Sequence, residues 1–213
     1  MIHISQFINF LKKINSLDSD YIIQRGFSKL PSSPDNDIDM VINYEDFNVI
    51  NNVLKGSFSV KYSYDYGFAE YSQMINTSYY TSGEEDKTIS HGRFYIDVDS
   101  CFFYPSPYND FKTKWTVPLL FNEIVFNTKK KINLEDTYYY IPSPECEAVL
   151  LVLRVDLEKN GIWSEKYIKR INDLVINKDI FLNTGKLVLP NIEKISDEIK
   201  NLTFNTKSHT LCL

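Results

Sequence analysis

The sequence predicts an α+β fold, with helices and strands mixed through the first two thirds and a mainly helical C-terminal lobe after about residue 140. Three observations point there. The stretch DIDMVIN, 37–43, begins with the polar–apolar alternation of a half-buried strand. Residues 2–14 and 44–54 instead repeat their apolar positions at helical spacing. From Pro142 the texture changes, and a long apolar helix opens with Ser143 at its N-cap and Pro144 at its first position.

Taken in order, Ile2, Ile4, Phe7, Phe10, Leu11 and Ile14 mark the first helix. DYIIQR, 20–25, reads as a strand broken at Gly26. A polar loop with two prolines, 27–36, leads into the strand at 37–43. The helix that follows presents Phe47, Ile50, Val53 and Leu54 on one face and ends at Gly56. Strands are expected at 58–66, 68–76 and 92–104. Gly161 closes the helix begun at Pro144, and 164–181 and 191–201 are expected to be helical. The predicted division is therefore 1–140 and 141–213.

Composition narrows the functional classes. The 213 residues include 43% apolar and 15% aromatic side chains, enough for a sizeable core rich in Phe and Tyr. Net charge is −5 and the pI is about 5.3. A protein that grips long nucleic acid carries a basic face, because phosphate neutralisation dominates that affinity. The nearest approach is Lys129, Lys130 and Lys131, a run expected to be solvated. Cys101, Cys146 and Cys212 match no zinc spacing and are expected to be reduced. Neither a signal peptide nor a membrane span is expected, so the sequence reads as cytoplasmic. His3, His91 and His209 are scattered, and no Ser-His-Asp or Cys-His order supports covalent catalysis.

The chemistry-bearing residues are carboxylates. Strand residues two apart share a face, so Asp37 and Asp39 project together while Ile38 and Met40 project oppositely. Paired aspartates tolerate each other best with a cation between them. Hard oxygen donors without nearby His or Cys favour Mg2+ or Mn2+ over zinc. The apolar strand GRFYIDVDSCFFY, 92–104, adds Asp97 or Asp99 as a third acid. Three carboxylates can hold two cations for in-line phosphoryl displacement, the third also serving as general base. Upstream, Gly26 can bring backbone N–H groups close to phosphate, Ser28 can donate a hydroxyl, and Arg25 or Lys29 can offset phosphate charge. Tyr104, Tyr108 and Trp115, with Lys112 and Lys114, occupy a Pro-containing loop that is expected mainly to pack.

Together these residues resemble the polymerase-beta-like nucleotidyltransferase superfamily. The matching elements are Arg25-Gly26-Phe27-Ser28 after a strand, then Asp37-Ile38-Asp39, then Ile96-Asp97-Val98 on a later strand. RGFSKLPSSPDNDIDMVIN and IPSPECEAVLLVLR are similar to small bacterial nucleotidyltransferase-like proteins, the likeness covering roughly 20–155. The resemblance implies a minimal mixed β-sheet flanked by helices, with residues 1–140 as the catalytic domain. It implies Asp37 and Asp39 as the metal pair and Asp97 as the third acid, with Gly26 and Ser28 in a phosphate-cradling turn. Phe27 stands where the family's usual Ser follows Gly. The implied activity transfers a nucleoside monophosphate from a nucleoside triphosphate, such as ATP, to an acceptor, releasing pyrophosphate. The acidic pI argues for a small-molecule, sugar or protein acceptor. Two alternatives remain open at this point: a glycosyltransferase using Asp-x-Asp, and a non-catalytic binding or regulatory module of toxin–antitoxin or defence type. The few residues before Asp37 count against the first, and Phe27 keeps the second in view.

Overall fold

A computed structural model describes residues 2–25, 27, 30, 37–68, 73–80, 95–105, 114–159 and 161–201. The chain divides into two compact units, Met1–Phe102 with Lys129–Ile141, and Phe103–Thr128 with Pro142–Leu213. The fold class is α+β, as expected.

In the first unit, α1 (Ile2–Asn15) is followed by strands β1 (Tyr21–Arg25) and β2 (Asp37–Ile42), helix α2 (Phe47–Ser57) and strands β3 (Ser59–Phe68), β4 (Gln73–Tyr80) and β5 (Tyr95–Asp99). Among the described residues these five strands form one sheet in the order β1-β2-β5-β4-β3. β2 and β5 run parallel while the other neighbours are antiparallel, so the sheet is mixed. One face meets the two helices. Phe7, Phe10, Leu11 and Ile14 of α1 and Phe47, Ile50, Val53 and Leu54 of α2 pack with Ile23, Ile38, Met40, Ile42, Ile96 and Val98 of the sheet. Each such side chain, once fully buried, contributes roughly 1.5–3 kcal/mol before entropy is counted. The Phe10 and Phe58 rings meet edge to face at 5.7 Å.

The segment Lys129–Ile141 returns to this unit as a hairpin of β8 (Lys130–Leu134) and β9 (Thr137–Ile141). Its turn is Glu135-Asp136, with Glu135 at φ 50°. Partly buried hydrogen bonds fix it in place. Asn15 Nδ2 donates to the Tyr138 carbonyl at 2.8 Å and to Thr137 Oγ1 at 3.1 Å. The Tyr21 hydroxyl donates to Asn15 Oδ1 at 3.0 Å, and burial pushes that phenol above its ordinary range. The lysine run is not uniformly solvated. Lys129 pairs with Asp20, and Lys131 Nζ lies 3.7 Å from the centroid of the Tyr138 ring.

The second unit contains β6 (Phe103–Pro105), β7 (Lys114–Thr116), α3 (Leu119–Asn127), α4 (Pro144–Glu158), α5 (Glu165–Leu174), α6 (Lys178–Gly185) and α7 (Ile192–Asn201). Helix α4 is buried on nearly all sides, as an apolar helix at the centre of a bundle must be. Two of its three buried acids are partnered: Glu145 Oε1 accepts the Asn177 N–H at 3.0 Å, and Glu147 Oε1 accepts Arg170 Nη2 at 2.7 Å. Pro144 sits in its first turn, where a missing N–H costs nothing, while Ser143 directs its hydroxyl to Thr128 Oγ1 at 3.2 Å instead of capping.

Several boundaries differ from expectation for local reasons. Gly56 does not end its helix, which continues through Ser57, and residues 44–46 form a 3-10 turn before it. The second strand of the β3–β4 hairpin begins at Gln73 rather than 68. Within the stretch 92–104 the described residues, from 95 on, form two strands in different sheets, broken at Ser100-Cys101. Tyr104 and Trp115 face each other across the β6–β7 pair rather than lying in a loop; Tyr108 and Lys112 lie outside the described residues. The helix expected over 164–181 is two, because Asn177 caps a new one, its Oδ1 accepting the Asp179 and Ile180 N–H groups. Cys101 and Cys146 are free and buried. No helix among the described residues is long and apolar enough to cross a membrane.

Candidate functional site

The sheet buries one face against α1 and α2, and the other carries the acids. On β2, Ile38, Met40 and Ile42 point into the helix-covered core. Asp37, Asp39 and Val41 occupy the alternate positions. On β5 the same division puts Ile96 and Val98 in the core and leaves Asp97 and Asp99 on the acidic face. Only one face of each strand can bear charge, because the other is sealed by apolar side chains.

Parallel pairing then sets the register. Asp37 lies opposite Tyr95, Asp39 opposite Asp97, and Val41 opposite Asp99. Directly paired residues on neighbouring strands are about 5 Å apart and lean to the same side. Asp39 and Asp97 are thus brought together, whereas Asp99 lies two residues beyond Asp97 on its strand. On β4, Ser78 is the register partner of Asp97 and Asn76 that of Asp99.

Burial sharpens the environment of Asp97. Its residue is half-buried, yet its Oδ1 is buried and without a hydrogen-bond partner among the described residues. An isolated buried carboxylate oxygen is costly, so the oxygen is poised for a donor or a cation. Oxygen donors of this kind fit a hard divalent cation such as Mg2+ or Mn2+.

Asp39 has a partner. Arg25 Nε stands 2.7 Å from Asp39 Oδ2, and both side chains are about one-fifth exposed. Simple alternation from Tyr21 and Ile23 would send Arg25 into the apolar core. The register of β1 against β2 slips between Ile23 and Arg25, so Arg25 lies opposite Asp39 and on its side of the sheet. The sequence marks Arg25 as a phosphate ligand; its pairing with Asp39 is an arrangement that strand periodicity alone does not reveal.

The remaining sequence-identified residues are placed as follows. Asp37 contributes its backbone to the first position of β2. Gly26, Ser28 and Lys29 lie outside the described residues. Phe27 and Leu30, flanking them, pack half-buried against the core cluster, and the Leu30 N–H donates to the Phe27 carbonyl at 3.1 Å. Phe27, the residue that departs from the resembled pattern, therefore packs as an apolar side chain against the core. Among the described residues no group of three or more His, Cys, Asp or Glu is disposed to hold a metal ion; Asp37's side chain is not among those described.

No family model and no curated protein matches the chain. Among solved structures it is similar to the antibiotic-resistance factor ANT(2'')-Ia, with a TM-score of 0.47 and 8% identity over 94% of this chain and 96% of that one. It is similar to an antigenic nucleotidyltransferase-like protein from Paracoccidioides brasiliensis, with a TM-score of 0.43 and 16% identity over 95% of this chain and 92% of that one. It is also similar to the lincosamide antibiotic adenylyltransferase LnuA in its lincomycin-bound form, with a TM-score of 0.38 and 11% identity over 81% of this chain and 96% of that one. Of these, LnuA is an adenylyltransferase and the Paracoccidioides brasiliensis protein is nucleotidyltransferase-like.

Proposed function

We propose that this chain is a metal-dependent nucleotidyltransferase that moves a nucleoside monophosphate from a nucleoside triphosphate to a small-molecule, sugar or protein acceptor, releasing pyrophosphate. One observation carries the reading. Asp39 and Asp97, 58 positions apart in sequence, are register partners on adjacent parallel strands, on the face opposite the core. A half-buried carboxylate pair with an unpartnered oxygen has little structural use, since an apolar or amide pair would pack the sheet at lower cost.

In this reading Asp39 and Asp97 hold the divalent cation, and Asp37, two residues before Asp39, joins them. When bound, that ion neutralises phosphate charge and orients the triphosphate for in-line attack. The protein's own contribution is positional. The sheet fixes two carboxylates to a rigid floor, and Ser28 and Lys29, which follow β1 in the sequence, are assigned to the phosphate. Asp97 is the preferred third acid because it is the register partner of Asp39; Asp99 stands opposite Val41. A carboxylate there can accept the proton of an acceptor hydroxyl as the new phosphoester bond forms and pyrophosphate leaves.

The test is pyrophosphate release from each nucleoside triphosphate with Mg2+ or Mn2+, across a panel of hydroxyl-bearing acceptors. Lincomycin, present in the LnuA structure, and free sugars belong in that panel. Transfer that falls on the order of 100-fold or more in Asp39→Asn and Asp97→Asn, with unchanged circular dichroism, supports the assignment. Turnover that survives both substitutions would place the chemistry elsewhere.

A further inference from the structure

Helix α7 is held in the helical unit by two kinds of interaction. Ile192, Ile195 and Ile199 are buried along one stripe of it. Two of its acids meet lysines from α6 and its C-terminal end: Lys178 Nζ lies 3.5 Å from Asp197 Oδ1, and Lys186 Nζ 2.7 Å from Glu193 Oε1. These pairs are exposed and contribute little. Glu198, beside the apolar stripe, is set differently: it is the charged group that acts on Asp156 of α4. At this point α7 presents a carboxylate to a carboxylate.

Asp156 is 5% exposed, and neither of its oxygens has a hydrogen-bond partner among the described residues. Such a group either keeps its proton or leaves a charge poorly solvated. The charges around it are engaged elsewhere. On α4, Arg154 Nε pairs with Glu158 at 2.8 Å. Glu147 pairs with Arg170 of α5, and Glu145 accepts the Asn177 N–H ahead of α6. On α7, Lys194 Nζ stands 4.0 Å from Glu198 Oε1. Burial first, and then Glu198, raise the Asp156 pKa to about 7. A protonated Asp156 sets a neutral group against Glu198, whereas an ionised one sets like charges against each other between α4 and α7.

We propose that Asp156 and Glu198 form a pH-operated clasp, which keeps α7 on the helical unit while Asp156 holds its proton and loosens α7 when that proton leaves. The closed form binds the proton more tightly than the open one. Closure is therefore favoured in acid, weakens as pH rises toward 7, and levels off above that value. Opening exposes Ile192, Ile195 and Ile199, an apolar surface that the closed form hides. The clasp stands independently of the nucleotidyltransferase reading.

The experiment is amide hydrogen–deuterium exchange read by mass spectrometry at pH 6 and pH 8.5, with labelling times scaled to cancel the intrinsic pH dependence of exchange. In the wild-type protein the protection of α7 is expected to fall about tenfold, since one pH unit separates pH 6 from the Asp156 value. Protection of α4 is expected to change by less than about threefold, because only the clasped helix opens. In Asp156→Asn the loss in α7 is expected to shrink below about threefold, and in Glu198→Gln to fall between the two. Circular dichroism confirms that each variant is folded, and Glu198→Gln carries the test if Asp156→Asn is not. Protection of α7 that is equal at the two pH values, or a loss that persists undiminished in the folded variants, overturns the clasp. So does a parallel loss in α4, which would make the effect one of the whole unit. Restoration of α7 protection at pH 8.5 by millimolar Mg2+ in the wild type, but not in Asp156→Asn, overturns it in favour of a cation site at the two acids.

Discussion

Asp156 should make the helical unit less stable as pH rises toward neutrality. It lies on α4, only 5% exposed, and neither carboxylate oxygen has a hydrogen-bond partner among the described residues. Burial, and secondarily the charge of Glu198, push its pKa from 3.8 up to about 7. The folded state therefore holds this proton more tightly than the unfolded chain does. Stability is full below the unfolded value near 3.8, falls as pH rises toward 7, and levels off above it. At about 1.4 kcal/mol per pH unit, that interval corresponds to a loss on the order of 4 kcal/mol. Against the 5–15 kcal/mol that roughly spans domain stabilities, this is a large fraction. Asp156→Asn removes the ionisation while keeping the side chain's size. The stability of the variant relative to the wild type should rise by about 1–4 kcal/mol between pH 4.5 and pH 8. Urea unfolding followed by tryptophan fluorescence reads the relevant part of the molecule, because both tryptophans, Trp115 and Trp163, belong to the same unit as Asp156. A difference between the two proteins that is the same at pH 4.5 and pH 8 would refute the argument.

Other substitutions test other parts of the fold. Gly185→Ala places a Cβ 2.6 Å from Ile192 Cγ1, near the stem of a fully buried side chain, and should cost about 1–3 kcal/mol in thermal or urea unfolding. Arg170→Ala strips Glu147 of its cation while Glu147 remains 9% exposed; the cost, about 1–3 kcal/mol at pH 7, should shrink in acid because burial already raises the Glu147 pKa. Asp97→Asn should raise the melting temperature of the protein in excess chelator, by an amount worth about 0.5–2 kcal/mol, since it replaces a carboxylate that has an unpartnered buried oxygen; an unchanged or lower melting temperature would count against a strained functional acid there.

The acidic face was legible because strand periodicity is short and strict. In 37–42 and 95–99 every second residue is apolar and buried, so the aspartates between them had one direction left to point. Which acid of 97 and 99 meets Asp39 was not legible, since register between strands is a property of the pairing and not of either strand alone. The hairpin β8–β9 escaped for a related reason. Its first strand is exposed at three of its five positions and shows no alternation, and its turn is Glu135-Asp136 rather than the Asn-Gly or Asp-Gly that signals a tight hairpin.

Arg25 shows most clearly what a linear reading cannot hold. By alternation it belongs with Tyr21 and Ile23, facing the helices, where a guanidinium would find only apolar neighbours. One extra residue at Gln24 reverses its direction, and the reversal has two consequences at once: the core stays dry, and Asp39 gains a cation. A bulge that only relieved the core could have been achieved with an apolar residue at 25 and no slip at all. The slip and the arginine together set a guanidinium against Asp39, a pairing that follows from the register between two strands and not from the periodicity of either.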